Sequence, residues 1–465
     1  MAASVRDAYH RILLTTEDLI AVAAIIGAAS AESADAAIED AESQKLVLSS
    51  RIPSFELLTA RRDSRRLRMT GGISVWSGLV IKSVLSGKRL SDVRGFISEL
   101  YGHDLHAKRV ESLAGATVGV MASASLAVAT IGQALAHARG LVTKHAVKQV
   151  DRLMSNAGID VWDSFARWVP HQVAGRPAIL VAMDWTDFDH DDQSSLVLSL
   201  VTDHGRAAPL IWLTVWKEEI ATRRNDFEDA CLRRLVETVP SGCKVTILAD
   251  RGFGDQKLFA FLDEIGFGYV IRFRGNIRVT DTDGTTKPAA DWIGKGGRAR
   301  KLRHARITAK GQPVGAVVCV HAKAMKQPWC LAASDPEASA AMLVNHYARR
   351  WTIEPQFRDT KDLRFGMGLS ATRIGEPTRR DRLLLVSAFA VALLTMLGAV
   401  GESLGMDRLL KSNTSRTRTH SLFRQGCMLY ELIPSMPEHR LIPLIEAFNQ
   451  ALSKATEFSG FYAKA

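Results

Sequence analysis

The sequence predicts an α/β fold, because three strand patterns, a helical pattern and a further strand pattern follow one another in the middle of the chain. The strand patterns are the mainly apolar runs AILVAMDW, SLVLSLVTD and PLIWLTVW, which are separated by polar turns. Residues 225–239 have helical periodicity, and the apolar run KVTILAD follows them. This order of strands and helices is typical of a layered α/β domain.

The composition is that of a basic globular protein. The 465 residues include 60 Lys and Arg residues against 49 Asp and Glu residues, so the formal net charge is +11. This length predicts about two to three domains, and the positive charge favours a polyanionic partner. The five cysteines have no C-x-x-C spacing, which argues against a zinc site or a disulfide framework and favours a reducing cytoplasm. The N-terminus lacks the pattern of a secretory signal peptide.

Two segments without charged residues, 112–136 and 383–401, are long enough to cross a membrane. Ser, Thr, Gly and Gln lower the hydropathy of the first segment. We expect both to form helices buried in a large core, with no membrane contact. Arg379, Arg380 and Arg382 before the second segment can be read as the flank of a membrane span or as phosphate contacts.

Residues 1–140 are predicted to form a helical DNA-binding region. Within it, residues 61–68 read RRDSRRLR, and helical patterns follow at 73–85 and 91–100. A basic arm before two helices joined by a short turn is typical of a helix-turn-helix DNA-binding unit. The alternative is a pair of scaffold helices that follow a solvated basic segment.

The segment after the run KVTILAD is rich in strand patterns. A short helix is predicted at 256–265, and the strand YVIRFR follows it. Residues 276–335 then contain turn signals and short strand patterns, so we predict a β-strand insertion there. Its basic stretch at 298–306 suits the DNA backbone or serves as a solubilising face. A later basic stretch at 411–426 suits phosphate contact or a flexible loop.

Two aspartates follow apolar strand patterns and are candidate metal ligands. Asp184 follows ILVAM and Asp250 follows VTILA, so each is predicted to end a buried strand. Asp184 begins the acidic run DWTDFDHDD, so a later aspartate can be the ligand instead, or the run can be a solvated turn. These alternatives are Asp187, Asp189, Asp191 and Asp192. Asp250 precedes Arg251, and the alternative there is a strand end held by an ion pair.

A third candidate carboxylate, Glu354, lies in the segment YARRWTIEPQFRDTK at residues 347–361. Successive members of the set Tyr347, Arg350, Glu354 and Lys361 are three, four and seven residues apart. A helix therefore places all four on one stripe. The alternative is a solvated helix face with an i,i+4 ion pair between Arg350 and Glu354.

The same segment contains one irregularity and two apolar anchors. Pro355 cannot donate to the helix ladder, so we expect the helix to kink or restart beside Glu354. Ile353 and Phe357 fall outside the polar stripe and can attach the helix to a core.

The spacing Y-(2)-R-(3)-E-(6)-K, together with RW-x-IE-P-x-F, resembles the signature of the DDE transposases of the insertion-sequence-4 family. The resemblance covers about residues 140–430. It implies a ribonuclease-H-like core formed by residues 141–275 and 336–405. The β-strand insertion at 276–335 interrupts this core, and a helical, basic tail at 406–465 follows it.

The resemblance further implies that Asp184, Asp250 and Glu354 form a catalytic triad that binds two Mg²⁺ ions, with Mn²⁺ able to substitute. In phosphodiester chemistry, two divalent ions activate the attacking oxygen and stabilise the leaving oxygen. Such hard cations prefer carboxylate oxygens. The implied function is a transposase that cuts DNA at the terminal inverted repeats of an insertion sequence and joins the ends to target DNA through a hairpin intermediate.

Five further residues are assigned to DNA by the same resemblance. Arg350 and Lys361 would neutralise phosphates, Tyr347 would bond a phosphate oxygen, and Arg251 would contact DNA beside the second aspartate. Trp329 matches the tryptophan that stacks on a flipped base in the hairpin-forming branch of the family; alternatively, it is a core residue that begins a strand.

The implied partners are double-stranded DNA and a second copy of the chain in a synaptic complex, and the implied location is the bacterial cytoplasm. Two other functions compete with this one. A non-catalytic DNA-binding protein would need the basic elements but not the triad. A metal-dependent nuclease of the same fold would need the triad but no strand transfer.

Overall fold

The computed structural model describes residues 93–323 and 325–453, and the statements below refer to these residues. The basic arm predicted at 61–68 and the helical pattern at 73–85 lie outside them. The helix-turn-helix interpretation therefore stays a prediction. Residues 93–101 are helical.

After the helix at 93–101, four further helices precede the sheet, and the first three of them contact one another through small residues. They are α1 (Ala107–Ser123), α2 (Val128–Arg139), α3 (Thr143–Met154) and α4 (Val161–Val173). A Cβ on Gly132 of α2 would lie 2.4 Å from the Val147 Cα of α3, so only glycine lets these helices approach so closely. The uncharged segment 112–136 is thus a largely buried pair of helices with a bend of 97° between α1 and α2.

A large mixed sheet follows these helices in the described part of the chain. The strands of the described residues are β1 (Ala178–Phe188), β2 (Gln193–Val201), β3 (Ala207–Trp216), β4 (Lys244–Ala249), β5 (Gly268–Phe273), β6 (Arg278–Thr280), β7 (Thr286–Pro288), β8 (Arg300–Arg303), β9 (Arg306–Ile307), β10 (Gln312–Pro313), β11 (Ala316–Val320) and β12 (Trp329–Ala333). Eight of them form the core sheet in the order β3-β2-β1-β4-β5-β12-β11-β8. β1, β2 and β3 are antiparallel neighbours, whereas β1, β4 and β5 are parallel neighbours. The predicted α/β class is confirmed, and the sheet is compatible with a ribonuclease-H-like domain.

Helices connect the parallel strands. α5 (Lys217–Thr238) joins β3 to β4, and α6 (Gln256–Glu264) joins β4 to β5. The predicted start of the first of these helices at residue 225 was wrong, because the charged residues that follow Lys217 have no apolar periodicity. A cap begins the helix instead: the Glu219 carboxylate accepts the Trp216 N–H at 3.1 Å.

Residues 276–335 contain the predicted short strands, but these strands belong to two sheets. β8, β11 and β12 extend the core sheet, with β12 antiparallel to β5. β6, β7, β9 and β10 form a separate four-stranded sheet. The core sheet is therefore continuous with part of the predicted insertion, and the domain boundaries stay predictions.

The C-terminal helices include the most apolar one. They are α7 (Ala340–Arg349), α8 (Ile353–Lys361), α9 (Pro377–Ser403), α10 (Leu422–Leu432) and α11 (Glu438–Ser453). α9 packs on β3, where the Trp212 indole N–H donates to the Asp381 carbonyl at 3.2 Å. Among the described residues α9 is the one unbroken helix long and apolar enough to cross a membrane, and 89% of its most apolar 18-residue stretch is buried. A helix that is apolar all round fits such a position inside a large core.

The arginine-rich start of α9 is engaged inside the protein. Arg380 is fully buried and donates to Gln193 Oε1 at 2.7 Å and to Asp191 Oδ2 at 2.5 Å. Its guanidinium lies 3.7 Å from the centre of the Phe188 ring. The two interpretations of Arg380, as a membrane flank or as a phosphate contact, were therefore wrong.

Replacing Arg380 with Ala should lower the free energy of unfolding by about 3–5 kcal/mol, because the buried Asp191 loses its closest cation. Urea denaturation followed by circular dichroism measures this change. Arg379→Ala is the matched control: Arg379 forms a partly exposed ion pair with Asp151, and its loss should cost less than about 1 kcal/mol. Equal losses in the two variants would contradict a structural role specific to Arg380.

Candidate active site

Asp184 and Asp250 are neighbours at the point where the parallel pairing of two core strands ends. The register of β1 and β4 runs from Ala178–Lys244 to Met183–Ala249, so the two aspartates are the next residue on each strand. Adjacent strands lie about 4.8 Å apart, so the two aspartates occupy one neighbourhood.

Asp184 does not end its strand, so that part of the prediction was wrong. β1 continues to Phe188 because its outer half stays paired with β2, as far as the pair Phe188–Gln193. Asp250 does follow β4 directly, and its carboxylate accepts the Gly252 N–H at 2.7 Å. β4, the parallel neighbour of β1, ends here, whereas β2 continues. One edge of β1 is therefore no longer paired with β4 at Asp184.

The Arg350 guanidinium joins two of the three predicted catalytic carboxylates. Nη1 donates to Asp184 Oδ2 at 3.1 Å, and Nη2 donates to Glu354 Oε1 at 3.0 Å. The Arg350 side chain is only 12% exposed. The ion pair between Arg350 and Glu354 therefore exists, but it does not lie on a solvated face, because the same guanidinium connects the helix to β1.

The polar stripe is built from two helices and one tighter turn between them. α7 ends at Arg349, Arg350–Thr352 form a 3₁₀ turn, and α8 begins at Ile353. The predicted restart of the helix is confirmed, and Pro355 lies in the first turn of α8, where a missing N–H is tolerated. Ile353 is fully buried and anchors α8 to the core, as predicted.

The carboxylate cluster carries more negative charge than Arg350 offsets. Burial raises the pKa of Asp184 to about 6, Arg350 lowers it, and the charges of Asp250 and Glu354 raise it. One guanidinium thus faces three carboxylates. A divalent cation among them would be electrostatically favourable.

Two of the other aspartates in the acidic run have different partners. Asp189 forms an ion pair with Lys217, and Asp191 forms one with the buried Arg380. Neither pair involves Arg350. These contacts favour Asp184 as the member of the carboxylate cluster.

Lys361 attaches the end of α8 to the outer half of β1. Its Nζ donates to Thr186 Oγ1 at 2.9 Å and to the Asp187 carbonyl at 2.6 Å, and it lies 4.7 Å from the centre of the Phe188 ring. Burial lowers the pKa of Lys361. The contacts give Lys361 a positioning role, and its predicted phosphate contact stays a prediction.

Tyr347, Trp329 and Arg251 lie around the carboxylate cluster. Tyr347 is buried, and its ring meets the half-buried Trp329 edge to face with 4.8 Å between the ring centres. Trp329 begins β12, as the alternative interpretation expects. Arg251 is exposed and donates to Gln327 Oε1 at 3.3 Å, two residues before Trp329.

Sequence reasoning missed a support for the site on α5. The Trp185 indole N–H donates to Glu228 Oε1 at 2.9 Å, and Arg224 Nε donates to the same oxygen at 2.7 Å. The Arg224 guanidinium also lies 5.1 Å from the centre of the Phe253 ring, in the turn that follows Asp250. α5 thus supports the residues that follow both aspartates. The i,i+4 spacing of Arg224 and Glu228 was the available signal.

Oxygen ligands for a divalent cation are present, but they are not arranged around an ion position. Among residues 93–323 and 325–453, no group of three or more His, Cys, Asp or Glu side chains is placed to hold a metal ion. Instead, the Arg350 guanidinium bridges Asp184 and Glu354. The donor set itself fits Mg²⁺ or Mn²⁺, since both prefer carboxylate oxygens.

Residues 216–390 match the family model described as Transposase DDE domain. The matched segment starts at the last residue of β3, so it includes Asp250 and Glu354 but not Asp184. No curated protein sequence matches the chain. The family match supports a DDE transposase, which is an enzyme that binds, cuts and transfers DNA and generally uses divalent metal ions.

Proposed function

We propose that the chain is a transposase of the insertion-sequence-4 family that cuts DNA at the terminal inverted repeats of its element and joins the ends to target DNA. The observation that carries this proposal is the bridge that Arg350 makes between Asp184 and Glu354, beside Asp250. The order β3-β2-β1-β4-β5 within the core sheet supports a ribonuclease-H-like core.

The three carboxylates have one shared role in this proposal. Asp184, Asp250 and Glu354 would hold two Mg²⁺ ions, or Mn²⁺ in their place. When bound, such ions supply activation of the attacking oxygen and stabilisation of the leaving oxygen. Arg350 holds Asp184 and Glu354 in place before DNA arrives, and a DNA phosphate then competes with them for its guanidinium.

The residues around the cluster would hold the DNA. Arg251 is exposed and would contact the backbone, while the Tyr347 hydroxyl and Lys361 would contact phosphates next to the cut. The formal net charge of +11 favours a DNA partner. A second copy of the chain would complete the synaptic complex, in the cytoplasm of a bacterium.

A cleavage assay tests the proposal. Purified protein is incubated with Mg²⁺ and a linear duplex that carries the inverted repeats flanking its coding region. We expect nicking at the repeat ends and joining of the ends to target DNA. Cleavage without end preference or joining would indicate a nuclease, and binding without Mg²⁺-dependent cleavage would indicate a DNA-binding protein; either result would overturn the proposal.

The hairpin step makes a separate prediction for Trp329. Its ring stands edge-on to Tyr347 beside the cluster, where it can stack on a flipped base. Trp329→Ala should leave first-strand nicking intact but slow hairpin formation by roughly tenfold, on a gel that resolves nicked and hairpin products. Trp329→Phe is the control that keeps an aromatic face. A normal ratio of hairpin to nick in Trp329→Ala would make Trp329 a core residue only.

A further inference from the structure

The loop that follows α8 exposes two large apolar side chains. Leu363 is 76% exposed, more than any other large apolar residue in the described part of the chain, and Phe365 is 59% exposed. Arg364 between them is also exposed, and its guanidinium lies 5.0 Å from the centre of the Phe365 ring. An aromatic ring with a guanidinium on its face is a group that stacks well on nucleic acid bases.

Hydrogen bonds donated by backbone N–H groups fix the conformation of the loop in which these side chains are exposed. The Asp362 carboxylate accepts the N–H groups of Arg364 at 2.8 Å and Phe365 at 2.6 Å. Just after them, Met367 is buried, and its carbonyl accepts the Leu126 N–H at 2.8 Å. One side of the loop is therefore fixed to the core while the other presents apolar groups to solvent. Such a preorganised apolar tip loses little conformational entropy when a partner binds.

The charges around the loop favour an anionic partner. Residues 358–373 contain four cations, of which Lys361 bonds β1 and Arg373 pairs with Asp191, whereas Arg358 and Arg364 are exposed. The same residues contain two carboxylates, Asp359 and Asp362. Neither carboxylate faces a ligand: the first pairs with Arg206 at 2.6 Å, and the second caps the loop itself. A protein partner would make favourable contacts with the apolar tip alone. DNA would make favourable contacts with both the tip and the cations.

The loop begins just after the helix that carries Glu354. α8 ends at Lys361, so the seven residues from Glu354 to Lys361 rise about 10 Å, and the two residues from there to Leu363 add at most about 7 Å. DNA rises about 3.4 Å per base pair, so the loop lies within about five base pairs of Glu354.

The geometry points to the loop 363–365 as a wedge for DNA. Leu363 and Phe365 contact the bases within about five base pairs of the cut phosphate, and Arg364 contacts the adjacent backbone. This inference rests on the proposed function, because it takes DNA at the carboxylate cluster as given. It adds residues that distort or hold the duplex, and these residues are different from those that cut it.

The test measures the wedge separately from cleavage. The probe is the same repeat-end duplex with 2-aminopurine at one position at a time, from the first to about the sixth base pair beside the cut. Binding is followed by fluorescence in the absence of divalent metal ions, so that no cleavage occurs. We expect the wild-type protein to raise the fluorescence most at one of the first five base pairs, and Phe365→Ala to abolish that rise. Cleavage in Mg²⁺ should fall by roughly 5- to 100-fold in Phe365→Ala.

Two further variants serve as controls. Phe365→Trp keeps a stacking face and should retain the fluorescence change. Ile442→Ala removes an exposed apolar side chain on α11 and should behave like the wild type in both assays.

The outcomes separate the wedge from the proposed function. A position-dependent rise without any cleavage in Mg²⁺ supports the wedge and counts against the proposed transposase. Cleavage by the wild type, with fluorescence and rate unchanged in Phe365→Ala, overturns the wedge alone. A changed oligomeric state in Phe365→Ala with an unchanged DNA signal also overturns it and assigns the loop to contact between copies.

Discussion

Glu354→Gln should reduce Mg²⁺-dependent DNA cleavage by roughly a thousandfold or more, while the affinity for the repeat-end duplex stays within a few-fold. The amide oxygen of Gln can still accept the hydrogen bond that Arg350 Nη2 donates to Glu354 Oε1 at 3.0 Å. The helix and the bridge should therefore survive the change. What is lost is the charge that attracts a divalent cation.

Two measurements separate this effect from a general loss of function. Cleavage is followed on labelled duplex in Mg²⁺, and binding is followed by fluorescence anisotropy without metal ions. Asp184→Asn and Asp250→Asn should behave like Glu354→Gln, because each removes one carboxylate from the same cluster. Glu402→Gln is the matched control, since Glu402 also pairs with an arginine, Arg418, but lies outside the cluster. Retained cleavage in Glu354→Gln would remove Glu354 from the active site.

The positions of the first strands along the chain could be predicted from the sequence, but the end of β1 could not. Apolar runs locate strands because a buried strand of a mixed sheet needs apolar side chains. After Trp185 the sequence becomes mainly polar, TDFDHDD, which predicts a turn. The strand continues because β2 pairs with it and because Lys361, far along the chain, bonds Thr186 and the Asp187 carbonyl. Such stabilisation comes from tertiary contacts and leaves no local signal.

The part of the candidate site that could be predicted from the sequence is the part whose residues recur at helical spacing. The spacing of Tyr347, Arg350, Glu354 and Lys361 follows from helix geometry, and the restart at Ile353 follows from Pro355. The second bond of Arg350, to Asp184, joins residues 166 positions apart and has no sequence period.

The function of Arg350 therefore had to be read from its contacts. Sequence reasoning gave it one task, to neutralise phosphate. The structure adds a second, because its guanidinium occupies the space between two carboxylates that are candidates for metal binding.

Because Arg350 both neutralises phosphate and lies between the carboxylates, Arg350→Ala should change DNA cleavage and metal affinity in opposite directions. DNA cleavage should fall by roughly a hundredfold or more, because the DNA phosphate loses a bidentate cation. The affinity of the DNA-free protein for Mn²⁺ should instead rise by at least about tenfold, because a competing positive charge has left the carboxylates. Calorimetric titration with Mn²⁺ at about pH 8 measures the second effect, and this pH lies above the pKa of about 6 that Asp184 has beside Arg350. Loss of Arg350 raises that pKa, so both proteins are titrated at the same pH and again at a higher one.

The controls use the neighbouring residue and a smaller change at the same position. Arg349→Ala removes an ion pair with Asp203 outside the cluster and should alter neither quantity strongly. Arg350→Lys keeps the charge but cannot reach both carboxylates in the fixed fork of a guanidinium, so it should lose cleavage with little gain in Mn²⁺ affinity. If Mn²⁺ affinity falls in Arg350→Ala, then Arg350 holds the carboxylates in a geometry that favours the ion. In that case its position between Asp184 and Glu354 supports metal binding instead of opposing it.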